Sequence, residues 1–259
     1  MPNNPYPTYK PECVLITGAT GGFGEAFCER FAAIGAKIIV HGRSEAKVRA
    51  LCEKLDVPTY PLIFDICDKQ ATLSALSKIP ADFQDIDVLI NNAGGALGLD
   101  KAHESDLDDW ENMIEMNNTS LIRITRTLLP NMVTRKKGHI INIGSIAGNW
   151  PYPGGNVYNA VKAFVKMFSL SIRADLQGTN VRVTNIEPGI AETPFSMARF
   201  KGDEEKAAAV YANTKPLNAD DIAESVFWAA TLPEHVNVNT MEVMPTQQSF
   251  GPLIVERNE

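Results

Sequence analysis

What this sequence lacks narrows it before anything it contains. Its four cysteines, Cys13, Cys28, Cys52 and Cys67, form no CxxC pair, and its four histidines, His41, His103, His139 and His235, form no HExxH motif. Neither spacing supports a zinc site or a disulfide framework, so no metal is expected, and the thiols read as reduced groups of a cytoplasmic protein. No apolar run reaches the roughly 18 residues of a membrane span. The opening MPNNPYPTYKPE has neither the basic nor the apolar region of a signal peptide, so residues 1–11 read as a proline-rich arm. Positive charge is in deficit: 24 Lys and Arg face 31 Asp and Glu, a net charge of −7. Nucleic-acid binding would need a basic stripe, and an anionic membrane would repel this balance. Repeats, low-complexity tracts and linkers are missing too, so the 259 residues read as one domain.

What is present is alternation. Short β-branched runs at 13–17, 37–41, 60–64, 87–90, 139–143, 181–186 and 239–244 read as strands. Between them lie amphipathic stretches at 22–34, 44–54 (capped by Ser44), 67–77, 107–129, 157–176, 203–211 and 219–230. The stretch at 107–129 carries a possible break near Met116–Asn118 and an expected stop at Pro130. Strand–helix alternation of this kind predicts an α/β fold with a parallel sheet covered by helices. The tail, residues 249–259, carries an apolar Pro-Leu-Ile-Val group suited to docking on its own body or on a partner subunit.

Between the first strand and first helix runs Thr17-Gly18-Ala19-Thr20-Gly21-Gly22-Phe23-Gly24. Glycines there let the backbone turn sharply beside a pyrophosphate, and the following helix aims its first N–H groups at the phosphate charge. A dinucleotide site often holds the ribose 2′-hydroxyl with an acid at the end of the second strand. Here that end reads His41-Gly42-Arg43-Ser44, with no acid and with a planar cation, which favours NADPH over NADH. Asp65 and Ile66 follow the third strand, where Asp65 either receives the adenine amino group or caps the next helix.

Tyr158 and Lys162 stand four residues apart on one helical face. A lysine beside a phenol favours the phenolate, and a phenol so tuned can exchange a proton near neutral pH. The glycine turn, Asn91-Asn92-Ala93-Gly94, Ser145, Tyr158-x-x-x-Lys162 and Pro188-Gly189 occur in that order, and together they resemble the short-chain dehydrogenase/reductase family. The resemblance covers nearly the whole chain. It is closest to the NADP-dependent 3-hydroxy acid dehydrogenases, a subgroup with serine/L-allo-threonine dehydrogenase and malonic semialdehyde reductase activities. Gly138-His139-Ile140-Ile141-Asn142-Ile143-Gly144-Ser145 and Arg199-Phe200-Lys201-Gly202-Asp203 carry that closer likeness.

The resemblance implies a single-domain Rossmann fold, a doubly wound seven-stranded parallel sheet flanked by helices, assembled as a homotetramer. It implies a catalytic tetrad of Asn117, Ser145, Tyr158 and Lys162. Tyr158 would act as general acid and base, Ser145 would hold the substrate oxygen, and Asn117 would hold a water leading from Lys162 to solvent. NADP would lie against Gly18, Thr20, Gly22, Phe23, Gly24, Arg43, Asp65, Ile66, Asn92, Ala93, Gly94, Tyr158, Lys162, Pro188, Gly189 and Thr193. The implied substrate is a small 3-hydroxy acid or its carbonyl counterpart. Residues 189–215 would cover it, Trp150 and Tyr152 would wall its pocket, and Arg199 or Lys201 would receive its carboxylate. Trp150 reads equally as a core-packing residue, and the basic pair equally as solvated charges. Ser120 stands where the family commonly has glycine, and Gly189-Ile190-Ala191-Glu192-Thr193-Pro194 departs from the subgroup.

Overall fold

The first strand sets the geometry. In β1 (Cys13–Ile16) every residue is buried, and alternate side chains enter different apolar layers, Val14 and Ile16 on one face, Cys13 and Leu15 on the other. A strand apolar on both faces suits the middle of a parallel sheet clad by helices. A computed structural model describes residues 8–250 of the chain. Residues 1–7 of the proline-rich arm and the Pro-Leu-Ile-Val group of the tail lie outside them.

The chain continues through α1 (Gly22–Ala32), β2 (Lys37–Gly42), α2 (Glu45–Lys54), β3 (Thr59–Ile63), α3 (Lys69–Ser77), α4 (Ala81–Gln84) and β4 (Val88–Asn91). Then come α5 (Leu107–Ile114), α6 (Ser120–Arg135), β5 (Gly138–Ile143), α7 (Asn156–Asp175) and β6 (Val181–Pro188). Three helices, α8 (Phe195–Arg199), α9 (Glu204–Ala209) and α10 (Ala219–Thr231), precede β7 (Thr240–Val243). The strand order is β3-β2-β1-β4-β5-β6-β7, and every neighbouring pair is parallel. This is the single-domain Rossmann fold that the resemblance implied.

Two layers of side chains hold it. Phe27 and Phe31 of α1, Val48 of α2 and Val226 of α10 pack with Val14, Ile16 and Val40. Ile124 and Met132 of α6 and Leu76 of α3 pack with Leu15, Ile39, Leu89 and Ile140 on the opposite face. Because all strands are parallel, the ends of β1, β2, β4, β5 and β6 open on one side. The strand order reverses between β1 and β4, which is where such sheets leave a crevice for a ligand.

The helix expected to stop at Pro130 does not. It runs to Arg135, where Lys136 turns it off in a left-handed conformation at φ 52°. Proline removes one helical donor, but the buried Ile124 and Met132 anchor both halves to the sheet. The expected break near Met116–Asn118 takes the form of a π-helical segment, Glu115–Thr119, between α5 and α6. Ser44 caps α2 as expected, while α3 begins two residues later than the sequence suggested because Asp68 caps it.

Candidate active site

Thr17, at the end of β1, is 1 % exposed and ties two loops together. Its hydroxyl accepts the N–H groups of Asn92 and Ala93, each at 2.9 Å. The Asn92 amide answers by donating to the carbonyls of Thr17 and Gly18 at 2.9 and 3.1 Å. Gly18 sits at φ +62°, and a Cβ there would come within 3.0 Å of the Ala93 backbone. Only glycine meets both demands. The turn leads into α1, whose N-cap Gly21 offers no side chain to the first N–H groups. An uncapped helix start beside a glycine turn, at the reversal point of the sheet, fits the pyrophosphate of a dinucleotide.

The other cofactor candidates gather at the same edge. Gly42 ends β2 against Thr20, and Arg43 beside it is exposed. Asp65 is exposed as well; its carboxylate accepts the Cys67 N–H at 2.9 Å, whereas the helix cap falls to Asp68. Ile66 is buried. Thr193 packs so close to Gly22 that a Cβ on the glycine would overlap it, and Gly189 donates to the Val243 carbonyl. Phe23 packs on the core layer around α1.

The four tetrad candidates meet where β4, β5 and α7 converge. Asn117 lies in the π-helical segment and is 1 % exposed. Its amide donates to the carbonyls of Gly95 and Met113 at 2.9 and 2.8 Å and accepts the Gly95 N–H at 3.2 Å. A Cβ on Gly94 would fall 2.5 Å from the Asn117 oxygen and 3.9 Å from the Lys162 Nζ, so Asn117, Gly94 and Lys162 are packed neighbours. The Lys162 ammonium donates to the Ile143 carbonyl at 2.9 Å and stands 5.8 Å from the Tyr158 ring centroid. Ser145 follows β5 and accepts the Ala147 N–H at 3.1 Å.

Burial dominates the electrostatics. It lowers the Lys162 pKa to about 8. It pushes the Tyr158 phenol above its ordinary range; Tyr152 adds to the rise, while hydrogen bonding from Ser145 and the charge of Arg199 oppose it. The sequence suggested Lys162 as the group that favours the phenolate. Here Ser145 and Arg199 exert that pull, because Lys162 turns its Nζ to the end of β5.

The candidates for substrate recognition separate. Arg199, at the end of α8, lies with its guanidinium carbon 5.5 Å from the ring centroids of both Tyr152 and Tyr158. Its Nε donates to the Gly98 carbonyl at 3.1 Å, and the Gly98 N–H donates back to the Arg199 carbonyl at 3.0 Å. Lys201 instead pairs with Asp109 of α5 at 2.8 Å and is exposed. Trp150 donates its indole N–H to Glu242 of β7 at 3.0 Å and packs against Phe250, with tilted rings 4.5 Å apart. Phe195 of α8 completes the wall near Tyr158, with rings 5.8 Å apart.

One group near the site has no signal in the local sequence. Glu187 on β6 and Glu242 on β7 are in-register neighbours. The Asn149 amide bridges them, donating to Glu187 at 2.6 Å and to Glu242 at 2.9 Å. Lys166 of α7 donates to the Asn149 oxygen at 2.7 Å and lies 3.6 Å from Glu187. Burial raises the Glu187 pKa, and Asn149 and Lys166 counter the rise. The segment after Ser145 is therefore tied to β6, β7 and α7 at once.

A glycine turn at a sheet reversal with a buried phenol, hydroxyl and lysine beyond it defines a dinucleotide-dependent oxidoreductase. The chain belongs to the short-chain dehydrogenase family, whose pattern matches residues 12–204. It is 54% identical over 246 residues to the NADP-dependent 3-hydroxy acid dehydrogenase YdfG of Salmonella typhi, an alignment spanning 95% of this chain and 99% of that one. It is 46% identical over 250 residues to sulfoacetaldehyde reductase 2 of Chromohalobacter salexigens, covering 95% and 99% of the two chains. Among solved structures, the closed form of serine dehydrogenase complexed with NADP+ superposes with a TM-score of 0.93 at 51% identity, covering 95% of this chain and all of that one.

Proposed function

We propose that this chain transfers a hydride between NADP(H) and the 3-carbon of small 3-hydroxy acids of the serine, L-allo-threonine, 3-hydroxyisobutyrate and 3-hydroxypropionate type. The observation that carries the reading is Arg199 set over Tyr158, which puts a fork of donors beside the proton-exchanging phenol. The bound dinucleotide supplies the hydride acceptor for oxidation, or the donor for reduction. Arg43 and the missing acid at Gly42 support NADP over NAD.

In the reductive direction, charge grows on the substrate oxygen, and the hydroxyls of Ser145 and Tyr158 stabilise it most at the transition state. Tyr158 then gives that oxygen its proton; in oxidation it takes one. Lys162 holds positive charge at the end of β5, and Asn117 orders the turn through which a water can lead its proton to solvent. Residues 189–215 cover the substrate, with Arg199 on its carboxylate and Tyr152 beside it. Lys201 and Trp150 contribute by anchoring that cover and the Ser145 loop. The 46%-identical sulfoacetaldehyde reductase favours a second acid group, a sulfonate, at the same guanidinium.

The chain acts as one dinucleotide-binding and catalytic unit in the cytoplasm; no helix among the described residues is long and apolar enough to cross a membrane. The homotetramer is supported by apolar side chains exposed on the helices, Leu107, Ile114, Phe164, Met167 and Trp228 among them, and light scattering tests it. Steady-state oxidation of serine, 3-hydroxyisobutyrate, 3-hydroxypropionate and a neutral alcohol, with NADP and NAD in parallel, tests the function. Preference for the neutral alcohol would overturn it in favour of a broad carbonyl reductase.

A further inference from the structure

His41 is the penultimate residue of β2, 2 % exposed, and it does not take part in the chemistry above. Its imidazole Nδ1 accepts the Gly18 N–H at 3.1 Å, and its main-chain oxygen accepts the next N–H, that of Ala19, at 2.8 Å. Two consecutive donors at the opening of the glycine turn are thus held by one residue. The same ring packs on Phe64 with centroids 4.2 Å apart, and Phe64 immediately precedes Asp65 and Ile66. The chain leaving His41 enters Gly42 and Arg43. Three of the loops assigned to the dinucleotide, those after β1, β2 and β3, therefore converge on a single buried side chain.

We propose that His41 is a positioning residue of the dinucleotide cradle, its Nδ1 fixing the glycine turn against the ends of β2 and β3. The role needs a neutral ring with its proton on Nε2, since a protonated Nδ1 cannot accept the Gly18 N–H. Burial holds the ring in that state by lowering its pKa to about 4. With Gly18 and Ala19 held inward, the N–H groups at the start of α1 remain for the phosphates. The inference rests on the assignment of NADP as cofactor and is independent of the substrate.

Three variants of the full chain, with NADPH as titrant, test it. Asn places its side-chain oxygen where Nδ1 lies, Gln reaches instead toward the Nε2 position, and Leu has no acceptor. His41→Leu and His41→Gln are expected to raise the NADPH Kd about tenfold, the scale of an unmet buried donor, whereas His41→Asn stays within about twofold of the parent. With saturating NADPH, kcat of all three is expected within about twofold of the parent, because the reacting groups are untouched; a loosened fold would move kcat as well. Parent-like NADPH binding by His41→Gln overturns the proposal, and so does His41→Asn binding as weakly as His41→Gln. That pair decides the matter even where His41→Leu does not fold. A parent protein that failed to bind NADPH would instead refute the cofactor assignment.

Discussion

The guanidinium carbon of Arg199 stands 5.5 Å from the ring centroid of Tyr158, and its Nη2 is buried with no hydrogen-bond partner among the described residues. A buried donor without an acceptor is costly, and an arriving carboxylate or sulfonate relieves it. Arg199→Ala is therefore expected to lower kcat/KM for 3-hydroxy acids by about 10- to 100-fold, the equivalent of one charge-assisted hydrogen bond. For a neutral alcohol, which loses only the pull of Arg199 on the Tyr158 phenol, it is expected to fall far less. Equal losses on both substrates would show that Arg199 does not read the acid group.

Tyr158→Phe removes the hydroxyl proposed to exchange the proton and leaves the shape of the site. Turnover is expected to fall by at least about 100-fold, the lower range for a lost general acid or base. NADPH affinity, measured by fluorescence titration, is expected to hold.

Lys162 offers a test in pH. Burial lowers its pKa to about 8, below the roughly 10.4 of a free lysine. Between those values the unfolded chain binds a proton that the folded chain has shed, so this residue makes stability rise with pH across that window. Below pH 8 both states are protonated, and the folded state carries the whole penalty of a buried ammonium. Lys162→Met is expected to raise the melting temperature of the cofactor-free protein at pH 7 by a few degrees, and the gain should vanish near pH 10.5. A pH-independent difference would contradict it.

Arg43 is exposed at the end of β2. Arg43→Ala is expected to reduce the preference for NADP over NAD by about tenfold, mainly through KM for NADP, because an exposed cation contributes modestly. Unchanged selectivity would mean that the 2′-phosphate is read elsewhere.

Around Asn149 two carboxylates share one amide, and Lys166 lies beside one of them, Glu187. Lys166→Met strips the cation from Glu187, which is 1 % exposed, and is expected to destabilise the protein by about 2–4 kcal/mol in urea unfolding at pH 7. Glu187→Gln removes the buried charge but keeps only one of the two oxygens to which Asn149 and Asn185 separately donate. It therefore costs about one neutral hydrogen bond and should be clearly the milder change. If the two variants matched, the pairing would carry no weight.

The elements that place the site were legible because their chemistry is local. Gly18, Asn92, Ser145, Tyr158 and Lys162 each sit at a strand end or helix start that periodicity locates. Pro130 misled because the burial of Ile124 and Met132 in the sheet layer is a tertiary fact and overrides a local helix-breaking signal. Lys201 could not be told from Arg199 by spacing: Asp109, almost a hundred residues earlier, draws one lysine away while Gly98 holds the arginine over the phenol. His41 gave no signal, since its importance lies in reaching back to a turn 23 residues upstream. The bridge from Asn149 to Glu187 and Glu242 joins three separate elements, which no window of sequence displays.

The paired bonds between Gly98 and Arg199 have a bearing on how such an enzyme changes its diet. One of the two runs from main chain to main chain, so it survives any replacement of the arginine side chain. On the proposed reading of Arg199, the main-chain fastening of its segment is thus independent of the acid-binding side chain, and residue 199 can drift toward a new head group without unfastening the segment that carries it.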